Sequence, residues 1–301
     1  MVIRGGGRLA GRVRAIQKPV SSRLENYGRD VRLRLGTALV LMAVLALLET
    51  AGPAAASSSS STAAEPPGTP VAHSFRGMST VGPLFRPDSS VHTCTASVVD
   101  SAKGDVLITA AHCISGTGAG YTFAPGYHDG IEPFGIWSVV DAYGARGWLA
   151  KQAPQRDFAF LVVAPRRHNG HLQRIEQVTG ANRLGTAPVS GEQVTVPAYA
   201  TGHDDNPITC TTRVRYDGKF PAFNCNPYVD GTSGSPWLHR TGKSWEVVGI
   251  IGGPNQGGCN SWTSYSARFG WAALRVEFEA ASGFAGSTFP TPGSDGCTTT
   301  T

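Results

Sequence analysis

Asp230-Gly231-Thr232-Ser233-Gly234-Ser235-Pro236 is the stretch on which the reading of this chain turns. A serine in a glycine-rich turn holds its hydroxyl away from the backbone, and the turn around Gly231 aims the N–H groups of Gly231 and Ser233 at one point. Such a pair suits an oxyanion hole. Two serines compete here, and Ser233 is preferred over Ser235. The string is not Gly-x-Ser-x-Gly, because Ser235 stands where that elbow needs glycine, which counts against an α/β-hydrolase. Working outward, Arg156-Asp157-Phe158-Ala159-Phe160 puts an aspartate 76 residues before Ser233. Thr109-Ala110-Ala111-His112-Cys113 puts a histidine a further 45 residues upstream. Histidine, aspartate and serine are the set that makes a weak hydroxyl an acylating nucleophile. Ser233 would attack a carbonyl, His112 would take its proton, and Asp157 would hold the imidazole.

Each choice has a rival. Seven other histidines are present. His73, His92, His128, His203 and His239 are read as surface or satisfied core residues. His112 differs, since it follows an apolar strand and has small neighbours that leave room for substrate. Asp157 enters the apolar run Phe158–Val163, as a buried carboxylate partner should, whereas Asp141 follows Val139-Val140 without such a continuation. His168-Asn169-Gly170-His171 is read as an Asn-Gly loop, not a zinc site. Asp204-Asp205-Asn206-Pro207 is read as a polar turn, not a calcium site.

With these strings, and with Cys94-Thr95-Ala96-Ser97-Val98-Val99 before the histidine and Val247-Val248-Gly249-Ile250-Ile251-Gly252-Gly253 after the serine, residues 77–281 resemble the trypsin/chymotrypsin-like serine peptidases, in their secreted bacterial branch. The resemblance implies an all-β fold of two consecutive six-stranded antiparallel barrels, about 77–185 and 186–270, with a short C-terminal helix packed on the second barrel. It implies peptide-bond hydrolysis through an acyl-enzyme, with no cofactor and no metal, by a monomer acting on protein or peptide substrates. It implies disulfides Cys94–Cys113 and Cys210–Cys225, which leave Cys259 and Cys297 as the third pair. From the residues alone, six cysteines allow fifteen pairings. An inactive binding protein on the same fold, or an esterase using the same three residues, are the alternatives.

For specificity, the resemblance points to Pro227, Ile251 and Gly253 as pocket residues. Pro227 stands where tryptic members carry an acid, and Ile251 where glutamyl-specific members carry a histidine. Neither offers a counter-charge, so an uncharged side chain is expected before the scissile bond. Zymogen-activated members carry an aspartate just before the nucleophile. Here that residue is Thr232, and Thr80-Val81-Gly82-Pro83 only loosely matches their cut site.

The rest of the chain sets the context. Of 301 residues, the first 56 hold nine basic and three acidic side chains. The remaining residues hold 17 basic and 18 acidic, so the part expected to fold has no charge excess to attract nucleic acid. Residues 1–56 read as a signal peptide with a long basic region, an apolar run Ala38–Leu48 and a small-residue site at Pro53-Ala54-Ala55-Ala56. Eleven apolar residues closed by Glu49 are too few to anchor the chain across a hydrocarbon core of about 30 Å. A secreted, extracellular protein is expected, and six cysteines suit that compartment. Residues 57–76 read as a disordered linker or propeptide, and 284–301 as a tail tied down through Cys297. Short apolar segments among 38 glycines and 20 prolines support the all-β reading. One helix is expected over Trp271–Ala281, with Trp271, Leu274 and Phe278 on one face and Gly283 ending it.

Overall fold

A computed structural model gives the fold of residues 64–168, 170–203 and 205–298. The expected signal peptide and the first part of the expected linker lie outside the described residues.

Runs rich in Val, Ile, Leu and Phe build a closed antiparallel barrel. Its six strands, in order around the wall, are Val81–Phe85, His92–Val99, Val106–Thr109, Ala159–Val163, Trp137–Gly144 and Thr122–Phe123. Val106–Thr109 and its partner Ala159–Val163 pair with Leu107 opposite Leu161 and Ile108 opposite Phe160, all fully buried. These near-continuous apolar runs bury both faces, one lining the barrel and one lying under the C-terminal helix. Trp137–Gly144 instead begins with alternation, Trp137 and Val139 inward and Ser138 and Val140 outward. The register then shifts between Val139 and Asp141, bending the strand into the curve of the barrel.

The second half departs from a closed six-stranded barrel. Six strands form one sheet in the order His73–Ser74, Ile208–Arg213, Gln193–Ala198, Pro236–Thr241, Ser244–Ile250 and Arg183–Leu184, the last pair parallel. Arg215–Asp217, Phe220–Asn224 and Thr263–Tyr265 form a separate three-stranded sheet. One apolar cluster, including Val194, Val196, Phe223, Tyr228, Trp237 and Val248, serves this half. Phe223 meets Trp237 and Tyr228 edge-on at 5.0 and 5.2 Å between ring centres, a favourable aromatic geometry.

The C-terminal helix runs Trp271–Ser282 and ends on left-handed Gly283. Its buried face differs from the expected one. Trp271 is 88% exposed and Phe278 60%, while Ala273, Val276 and Ala280 are buried. The i, i+3, i+7 spacing is right but offset by two positions. Small side chains let the helix sit close to the wall, which large ones would hold off. That wall is also a correction: the helix lies on Trp137–Gly144 and Ala159–Val163 of the first barrel, not on the second half.

Two further stretches are better fastened than their composition suggests. In the expected linker, Asn226 N–H donates to Pro70 O, Ala72 N–H donates to Asn226 O, and His73–Ser74 adds an edge strand to the six-stranded sheet. Backbone pairing orders this stretch without bulky side chains. The C-terminal tail is likewise held at many points besides Cys297. Phe289 is buried and exchanges both backbone hydrogen bonds with Gly116, and Ser287 N–H donates to Ala142 O.

Candidate active site

His112 lies in a single 3₁₀ turn, Ala111–Cys113, directly after the strand Val106–Thr109. Its disulfide from Cys113 to Cys94 ties the turn back to the neighbouring strand. Asp157 follows the 3₁₀ turn Pro154–Arg156, just before the strand Ala159–Val163, and is wholly buried. A buried carboxylate needs several donors, and three are supplied here. Asp157 Oδ1 accepts His112 N–H at 3.0 Å. Its Oδ2 accepts from His112 Nδ1 at 2.8 Å and from Gly253 N–H at 2.8 Å. The adjacent Gly252 leaves the necessary room, since a Cβ there would stand 3.0 Å from Asp157 O and 3.1 Å from Oδ2. Asp141, the sequence-level rival, pairs with Val162 in the barrel wall and takes no part.

The serine turn belongs to the second half but is built against the first. Gly231 has φ +93°, and a Cβ on it would fall 2.0 Å from Thr201 N. Gly234 has φ +82°, and a Cβ on it would fall 2.2 Å from both Thr109 Oγ1 and Thr95 O. Both positions therefore require glycine. Thr95 N–H donates to Ser233 O at 2.8 Å, and Thr95 Oγ1 donates to Gly231 O at 3.2 Å. Within the turn, Thr232 Oγ1 donates to Val229 O at 2.7 Å and Gly234 N–H to Ile251 O at 2.7 Å. Among the described residues, neither Gly231 N–H nor Ser233 N–H donates to any group of the fold. Two such donors, two residues apart, remain available to an incoming oxygen.

The two serines separate clearly. Ser233 is half-buried and its Oγ donates to Gln256 O at 3.5 Å. Ser235 is fully buried and its Oγ has no partner. Ser233 Oγ makes no hydrogen bond to His112. The structure thus joins His112 to Asp157 directly and places the Ser233 turn beside Thr109-Ala110, just ahead of His112. The hydroxyl itself is turned elsewhere.

The expected pocket residues fall in different places. Ile251 is 3% exposed and belongs to the apolar core of the second half, so its side chain is packing. Gly253 is committed through its N–H to Asp157. Pro227 follows a cis peptide bond from Asn226. Among the described residues, metal ligation does not fit the one cluster of His and Cys atoms, Cys94, His112 and Cys113, because both sulfurs are in a disulfide. Asp205 spends its carboxylate on buried His92, at 2.8 Å. The remaining disulfides join Cys210 to Cys225 and Cys259 to Cys297.

Sequence reasoning missed three contributors. Thr95 knits the serine turn to the barrel. Trp148, in the short helix Arg146–Lys151, is buried with its ring centre 6.5 Å from that of His112. The third is Gln256, for which the glycine-dense run 252–258 is the only local signal.

No protein-family model matches the chain, and no curated protein matches it. Solved structures do. The protease Anisep from Arthrobacter nicotinovorans aligns with a TM-score of 0.58 and 24% identity, over 70% of this chain and 100% of its own. The thermostable serine protease AL20 from an extremophilic microorganism aligns with a TM-score of 0.55 and 20% identity, over 67% and 97%. A Glu endopeptidase aligns with a TM-score of 0.53 and 17% identity, over 71% and 98%. A closed β-barrel, a second β half, a C-terminal helix and these neighbours together give the chain the trypsin/chymotrypsin-like peptidase fold.

Proposed function

We propose that the chain is a secreted serine endopeptidase in which His112, Asp157 and Ser233 form the catalytic triad. The observation that carries this reading is the buried Asp157 carboxylate, which accepts from both the backbone and the Nδ1 of His112. That arrangement fixes a proton on Nδ1 and leaves Nε2 as the acceptor, the tautomer a general base needs. The Ser233 hydroxyl must swing from Gln256 O to Nε2 before it attacks. Catalytic hydrogen bonds are often long or misdirected without substrate and tighten on binding. The attacked carbonyl oxygen becomes an oxyanion against the N–H groups of Gly231 and Ser233. The imidazolium then gives its proton to the leaving amine, and water, deprotonated by the same histidine, releases the acyl group.

The turn is ordered by contacts within the fold. Thr232 satisfies its hydroxyl on Val229 O, and Cys210–Cys225 braces the segment leading to the serine, so no freed N-terminal amine is required. Pro227 offers no counter-charge, which supports preference for an uncharged residue before the scissile bond. The three disulfides support secretion.

The test is covalent and enzymatic. The purified protein should cleave denatured casein and take up a sulfonyl fluoride on Ser233, and Ser233→Ala should lose both. Hydrolysis of a nitrophenyl ester without cleavage of casein would make it an esterase. Neither activity would make it a binding protein on this fold.

A further inference from the structure

The loop after strand Ser244–Ile250 reads Gly252-Gly253-Pro254-Asn255-Gln256-Gly257-Gly258-Cys259. Four glycines give it little conformational preference of its own. Asn255 and Gln256 are nevertheless both left-handed, at φ 52° and 55°. Asparagine tolerates that region, but glutamine has no short polar side chain to compensate. Besides its own turn bonds, from Gln256 N–H to Gly253 O and from Gly258 N–H to Asn255 O, the loop is held from outside. Asn255 Nδ2 donates to Asp295 O at 2.8 Å, Gln256 Nε2 donates to Gly293 O at 2.7 Å, and Cys259 is bonded to Cys297. The C-terminal segment making these contacts is itself tied to the first barrel. Gln152 accepts from Gly293 N–H at 2.8 Å and donates to Thr291 O at 3.1 Å, and Phe289 pairs with Gly116. The outcome is a backbone carbonyl, Gln256 O, that accepts a long hydrogen bond from Ser233 Oγ at 3.5 Å. A proton directed there is not available to His112.

We propose that segment 289–297 is a strap that keeps Gln256 O within hydrogen-bond reach of Ser233 and thereby holds the site in a resting state. The inference rests on reading Ser233 as the nucleophile. Its release point is the Cys259–Cys297 disulfide. Cys259 is exposed, while Cys94, Cys113, Cys210 and Cys225 are 5%, 3%, 2% and 0% exposed. A small dithiol therefore reaches this bond first. The dithiol is oxidised to its own disulfide as Cys259 and Cys297 each gain a hydrogen.

The experiment measures the rate of Ser233 labelling by a sulfonyl fluoride, read by intact mass and peptide mapping. Three forms are compared: the wild type, the wild type after mild dithiol treatment with only Cys259 and Cys297 alkylated, and the Cys259→Ser/Cys297→Ser variant. If the loop covers Ser233 in about nine molecules of ten, both released forms label about tenfold faster. Equal or slower labelling in the released forms overturns the strap. Should these forms unfold, Gln152→Gly decides. It removes both side-chain hydrogen bonds that tie Thr291 and Gly293 to the first barrel, beside the Gly293 carbonyl that holds Gln256, with all disulfides intact, at a residue whose φ of 48° suits glycine. Faster labelling supports the strap, and an unchanged or slower rate overturns it. No adduct on Ser233 in any form defeats the nucleophile reading itself, a result distinct from equal labelling.

Discussion

Asp157 accepts hydrogen bonds on both carboxylate oxygens, and that makes it intolerant of its closest isostere. In Asp157→Asn, an amide nitrogen must face either His112 N–H or the two donors at Oδ2, so at least one buried donor loses its acceptor. We expect turnover to fall by about 10⁴ and stability by about 1–3 kcal/mol, checked by steady-state kinetics and chemical denaturation. Ser235 is the opposite case. Its buried hydroxyl has no partner, so Ser235→Ala should keep activity and leave stability equal or higher, with the sulfonyl adduct still on Ser233. At this scale the sequence was informative where a residue's neighbours were distinctive. The small residues beside His112 and the apolar run after Asp157 marked their positions, and glycines framed Ser233. Ile251 is buried in the apolar core of the second half, a placement its type did not reveal, because an apolar residue looks alike in a core and in a pocket wall. Gln256 was invisible, since it acts through a backbone carbonyl that every residue carries.

Periodicity located the helix Trp271–Ser282 but not its inner face, because hydrophobicity alone ranks Trp271 and Phe278 above Ala273 and Ala280. Space against the barrel decided otherwise. Ala273→Leu should therefore destabilise by about 1–3 kcal/mol through overpacking, while Phe278→Ser should change the denaturation midpoint little. The same helix carries a pH-dependent element. Burial pushes the Glu277 carboxyl above the usual carboxylate range, and the nearby Asp100 adds to the shift. A raised folded pKa means that protonation favours the fold. That contribution is complete below the unfolded pKa and is lost as pH rises through the folded one. Glu277→Gln should accordingly raise Tm at pH 7–8 and have little effect near pH 4, followed by thermal melts across that range. The second sheet system was harder to foresee than this helix. Its strands are short and its division into six and three strands depends on pairing partners distant in sequence, which local patterns do not encode.

Across the whole molecule, the proposed site exists only where the halves meet. His112 and Asp157 come from the first barrel and Ser233 from the second half, and Thr95 bonds to both Ser233 and Gly231 across the join. His92, bonded to Asp205, and Tyr199, whose hydroxyl donates to Tyr127 O, add to the same seam. The sequence made the participants legible, but not the seam, because its bonds run between residues about 70 to 140 positions apart. One feature at the edge of this assembly bears on how the protein ages in a protein-digesting medium. His73–Ser74 lies in register with Ile208-Thr209, and among the described residues the first backbone bonds to a distant segment are at Pro70 and Ala72. A hydrolase that nibbles from the amino end must draw its substrate out as a single unpaired thread, and a stretch already knitted into a sheet resists being drawn. Digestion of the native protein with an added aminopeptidase should therefore stall close to Pro70 and leave a homogeneous product by mass spectrometry. Trimming that ran on past Ser74 would mean that this margin of the sheet opens freely.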